Sequence, residues 1–159
     1  MERLLILILS TLPAIALAQR LPTDIELRAS YCVPVIKYRI EVVTNLVQRM
    51  DTGQSASTPE LRKVASELLA EFNDKLQRLH NYLLPKVEIV DPAGLALAIN
   101  RGAEDVKYSK EVLPGICSEK CKEHKEAQAI LSCAYACGQE DERNMRQQRQ
   151  CSDLNWLPF

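Results

Sequence analysis

The sequence predicts an all-α fold, a helical bundle of three long helices with a disulfide-stapled helical hairpin that makes it four-helix-like. Three observations lead there. Apolar residues recur at spacings of three and four over most of the chain, the period of a helix with one buried face. Two C-x3-C pairs, Cys117/Cys121 and Cys133/Cys137, stand eleven residues apart. All six cysteines come after a leader of the exported type, and an even count in an oxidising compartment implies three disulfides.

That leader is residues 1–18, MERLLILILSTLPAIALA, read as a signal peptide. Arg3 supplies its positive start, Leu4 through Leu9 its apolar run, and Ala16-Leu17-Ala18 an A-x-A cleavage site. Pro13 breaks the run before it reaches the length of a membrane span, and no later run replaces it. Residues 19–159 then form one domain, with a polar segment from about residue 139, and the expected location is extracellular or periplasmic.

The first helix begins at Thr23-Asp24-Ile25-Glu26, which fits a capping box. Its buried stripe is Ile25, Ala29, Cys32, Ile36, Ile40, Val43, Val47 and Met50, with a bend expected near Pro34. Residues 51–57 form a loop. Thr58-Pro59 then restarts a helix, with the threonine as cap and the proline in the first turn, where its missing N–H costs nothing. Leu61, Ala65, Leu68, Phe72, Leu76, Leu79 and Leu83 make its stripe, and Pro85 ends it. Two long helices joined by a short loop pack antiparallel. Residues 86–90 read as an extended connector, and Asp91-Pro92 opens a third helix with a weaker stripe, Leu95, Ile99, Gly102, Val106 and Leu113. Gly94 and Gly102 each cost about 1 kcal/mol of helix propensity. Either they admit a close neighbour or they are merely tolerated.

Pro114-Gly115 reads as a turn and Ser118 as the cap of the next helix. Each C-x3-C pair places two sulfurs on one helix face. A hairpin turning within residues 122–128 would join Cys117 to Cys137 and Cys121 to Cys133, leaving Cys32 for Cys151. No glycine or proline lies between Ser118 and Cys137, however, and local signals favour one continuous helix. A continuous helix would hold the two pairs ~18–30 Å apart, beyond the reach of any disulfide. Both forms stay open on the sequence, with the hairpin preferred because it pairs every thiol. Gly138 is expected to end the last helix with a left-handed cap, and residues 139–150 to be solvated helix or coil. The tail holds Trp156, Leu157 and Phe159, which suit either a docking peptide or a plug over the bundle end.

Little in the chain carries chemistry. Basic and acidic side chains number 20 and 21 and are interspersed, so neither nucleic acid nor an anionic membrane is an expected partner. There are two histidines; His124 stands three residues after Cys121, the one arrangement that suggests a metal pair. C-x3-C inside a helix lacks the helix-start placement that activates C-x-x-C thiols. No zincin, nucleophile-elbow, P-loop or dinucleotide motif occurs. No catalytic residue, cofactor or metal is therefore assigned.

The twin C-x3-C of residues 117–137 resembles the helical hairpin of the small import chaperones of the mitochondrial intermembrane space. The likeness is confined to that hairpin. An export signal, long preceding helices and two further cysteines depart from the family, and its chaperone activity is not carried over. Six cysteines in an all-α exported chain are also similar in outline to insect odorant-binding proteins. The gaps here of 84, 11, 3 and 13 residues depart from that family's single C-x3-C pattern. The expected function is that of an exported non-catalytic protein acting by surface recognition of an unknown protein partner or as a structural or interaction factor. The alternatives are carriage of a small apolar ligand between helices, and metal or thiol-redox chemistry at the C-x3-C pairs. Oligomeric state is left open.

Overall fold

The computed structural model describes residues 19–158; the expected signal peptide and Phe159 lie outside the described residues. The fold is all-α. Three long helices, α1 (Asp24–Asp51), α2 (Pro59–Leu83) and α3 (Pro92–Glu111), precede the shorter α4 (Leu113–Lys120), α5 (Ala127–Glu140) and α6 (Glu142–Cys151).

Helix α1 is the hub, flanked by α2, α3 and α6, whereas the backbones of α2 and α3 do not approach each other closely. The main core is built on its buried residues Ala29, Cys32, Val35 and Ile36, closed by Leu79 of α2 and by Cys151, Leu154 and Leu157 of the C-terminal segment. The capping box is present in full: Thr23 Oγ1 accepts from the Glu26 backbone N–H, and the Glu26 carboxylate accepts from the Thr23 N–H. Pro34 lies inside an unbroken α1. Ile25, Leu61 and Ile99, expected on the buried stripes, are exposed.

Helices α1 and α3 run side by side in the same direction, with Pro22 against Gly94, Tyr31 against Gly102 and Glu41 bonded to Lys110. The connector that turns the chain for this is not extended as expected. Leu84–Lys86 is a 3-10 turn that continues to Val90, whose backbone forms an isolated parallel bridge with Arg20. Pro85 sits in the first turn of that element, where a proline needs no donor.

Helices α4 and α5 form a hairpin through residues 121–126, so the continuous helix is excluded. Its two rungs are Cys117–Cys137 and Cys121–Cys133, with Cα atoms 5.7 and 5.8 Å apart, and Cys32–Cys151 joins α1 to α6 at 5.4 Å. The hairpin contacts α3 and α6 rather than α1 or α2, and has its own small core of Leu113, Cys117 and Cys137. It extends the bundle at the far end of α3, while α6 takes the remaining place beside α1.

Three local expectations are corrected. Pro114-Gly115 is no turn but the first turn of α4, where the proline's missing donor is one of the helix's free amides, and Ser118 is therefore interior rather than a cap. Gly138 lies inside α5, with no left-handed φ. The break falls at Asp141, whose extended backbone and Oδ1, accepting from the Asn144 N–H at 2.8 Å, start α6. Residues 142–151 are a helix with a buried side at Gln147 and Cys151, not a wholly solvated segment.

Candidate functional site

Positions 24, 27, 28 and 31 share one face of α1, positions 94, 97, 98 and 101 the matching face of α3, and positions 146, 149 and 150 a face of α6. These faces enclose a cleft of about 700 Å³, in the range of small-molecule sites.

Its floor is set by how closely α1 and α3 approach. A Cβ at Gly102 would lie 2.3 Å from the Tyr31 carbonyl oxygen and 2.9 Å from Pro34 Cγ; one at Gly94 would lie 2.6 Å from Pro22 Cγ. Both glycines therefore admit a neighbour, which decides between the two readings of them. The contact at Gly102 brings the Tyr31 hydroxyl to donate to Asp105 Oδ2 at 2.7 Å, a bond wholly buried. Burial, then the Asp105 bond, pushes the Tyr31 hydroxyl well above its ordinary value, so it stays protonated and serves as a donor rather than a base. Gln147 Nε2 closes the junction from α6, donating to the Asp105 carbonyl at 2.7 Å and to Ser109 Oγ at 2.8 Å. This hydrogen bonding is why a polar helix can be partly buried here.

The walls differ in character. Helix α3 contributes Gly94, Leu97 and Ala98, and α1 contributes Leu27 and the Tyr31 side chain. Leu97 is 71% exposed although it faces the cleft. Helix α6 contributes Arg146, Arg149 and Gln150, with Arg28 of α1 beside them and Arg101 at the inner end of the α3 face. Four arginines and one carboxylate, Asp24, line the cleft, with Asp105 and Glu142 behind Arg146, in a chain whose formal net charge is −1. Such segregation creates a local positive potential that overall composition conceals.

Two of these arginines are structurally engaged. Arg28 donates from Nε to the Gln150 carbonyl at 3.4 Å and from Nη2 to the Arg149 carbonyl at 3.2 Å, capping the end of α6. Its guanidinium carbon also lies 4.2 Å from the Trp156 ring centroid. Arg146 faces the Asp105 carboxylate at 3.7 Å and Glu142 at 3.8 Å. Arg101 and Arg149, in contrast, are exposed and make no ion pair among the described residues.

The residues singled out in the sequence lie elsewhere. All six cysteines are in disulfides, so the C-x3-C pairs present no thiolate for metal binding or redox attack. His80 on α2 and His124 in the hairpin loop are both exposed. A smaller groove of about 480 Å³ between α4 and α5 is lined by His124 with Leu113, Cys117, Cys121 and Ile130. Of the tail residues, Trp156 and Leu157 pack against the bundle, and Phe159 lies outside the described residues. Leu157 is buried in the main core, and Trp156 is half-buried with its Nε1 donating to the Gln150 carbonyl at 3.1 Å. Lys75 Nζ and Arg78 Nη2 donate to the Ser152 and Leu154 carbonyls and hold the tail against α2. The cleft's arginines come from three separate elements, and only the spacing of Arg146 and Arg149 gives a local signal. Among the described residues no helix is long and apolar enough to cross a membrane. The chain matches no protein-family model, no curated protein and no solved structure.

Proposed function

We propose that this chain is an exported, non-catalytic binding protein whose ligand seat is the α1–α3–α6 cleft and whose ligand carries an anionic group. The observation behind this reading is the pair Arg101 and Arg149, which make no ion pair among the described residues and line one cleft from α3 and α6. Guanidinium donors suit carboxylate and phosphate oxygens, and a partly enclosed site weakens their competition with water. The three disulfides are compatible with an oxidising compartment, and with the leader they support export. Tyr31, Asp105 and Gln147 bond one another beneath the cleft and brace it, which suits holding a ligand rather than transforming it.

Trp156, the only tryptophan in the chain, stacks under Arg28 and so reports on the cleft. Titration of the oxidised mature chain with organic anions should give a saturable change in its fluorescence, weakened by added salt. The double variant R101A/R149A should bind at least about tenfold more weakly. Equal binding by wild type and double variant would contradict the reading.

A protein partner is the second reading, favoured by Leu131 and Tyr135, one turn apart on α5 and 64% and 72% exposed. Under it, L131D/Y135D would abolish partner association while leaving the anion titration unchanged.

A further inference from the structure

The two sides of the cleft point to a narrower ligand class. We infer that it takes a single-chain amphiphile, with an oxyanion head between Arg101 of α3 and Arg149 of α6 and an aliphatic chain along the apolar positions of α3. This rests on the anion-binding reading and adds the apolar half of the ligand. An ion alone would need only the guanidinium groups. Here α3 also presents apolar positions over more than one turn, Gly94, Leu97 and Ala98, and Leu27 of α1 continues them. Leu97, large and 71% exposed on an apolar wall, is the residue a chain would cover. Gly94 matters twice, because it keeps α3 close to Pro22 and leaves the wall without a side chain at that end. The acidic side chain among the lining residues, Asp24, belongs to the first turn of α1, one turn before Arg28.

The occupant is thus a monocarboxylate or monoalkyl phosphate with one chain. The head oxygens would accept from Arg149 and Arg101, and the chain would lose water against Leu97, Ala98 and Leu27. Each methylene that leaves water strengthens binding by up to about fourfold, the equivalent of ~0.8 kcal/mol.

The test is calorimetric titration of the full oxidised mature chain with butyrate, octanoate, dodecanoate, dodecyl phosphate and dodecanol, each kept monomeric. The expected result is affinity rising at least about thirtyfold from butyrate to dodecanoate, with dodecanol much weaker than either dodecyl anion. L97S should lower dodecanoate affinity by a several-fold larger factor than butyrate affinity, and R149A should weaken both acids. Whichever dodecyl anion binds more tightly identifies the head. Butyrate and dodecanoate binding equally would overturn the amphiphile and leave the anion site standing. No anion binding at all would overturn both. A polyglutamate peptide that binds more tightly than dodecanoate would overturn the amphiphile in favour of an acidic protein segment.

Discussion

Glu26 is 1% exposed and charged, and its surroundings explain how both hold. Arg20 donates to both carboxylate oxygens, Thr23 adds its N–H and hydroxyl at 2.8 and 2.9 Å, and the carboxyl is held at about 2, far below the ordinary carboxylate range. Because the folded value is depressed, the stabilisation is complete above the ordinary carboxylate value near 4.5 and is lost as pH falls toward 2. Chemical denaturation between pH 5 and pH 2 should therefore show falling stability in the wild type and a flatter profile in E26Q, which starts about 1–3 kcal/mol lower. Gly102 supports a steric prediction. G102A should cost about 1–3 kcal/mol despite its better helix propensity, because its Cβ would meet the Tyr31 carbonyl. G115A has open space in α4 and should gain up to about 1 kcal/mol. Ser30 is buried with a hydroxyl that finds no partner among the described residues, so S30A should be neutral or stabilising by thermal melt.

At the scale of elements, the disulfides act on loops of very different length. Cys32–Cys151 closes a separation of 119 residues and Cys121–Cys133 one of 12, worth about 5 and 3 kcal/mol in the chain-entropy model. C32S/C151S should lower the melting temperature more than C121S/C133S and should also loosen α6, and with it anion binding. The inner-rung variant should leave the cleft's affinity intact. The elements legible in the sequence are those with strong local chemistry. Thr23, Thr58 and Asp91 all cap helices where expected, and the two C-x3-C faces meet as rungs. The hairpin turn is harder to read because residues 121–126 turn without glycine or proline, fixed by the rungs on either side and not by turn residues. Helix α6 is hidden for another reason. Its buried positions are Gln147 and Cys151, and a glutamine satisfied by Asp105 and Ser109 from another helix leaves no apolar stripe to read.

Over the whole molecule, α1 is covered on separate sides by α2 and α3, whose backbones do not approach each other closely. On the α2 side lies the main core, where Leu79, Leu154 and Leu157 close over Cys32 and Ile36. On the α3 side lies the cleft between α1, α3 and α6. The candidate site is not legible in the sequence because its charge is assembled from Arg28, Arg101, Arg146 and Arg149, spread over three helices in a chain of nearly balanced charge. The measurement that bears most directly on this account is backbone and methyl chemical-shift mapping of the oxidised mature chain titrated with dodecanoate. The account predicts shifts concentrated at Leu27, Leu97, Ala98, Arg101 and Arg149, with the hairpin unchanged. Shifts confined to Leu131, Tyr135 and the α4–α5 groove would contradict it and place the recognition surface on the hairpin.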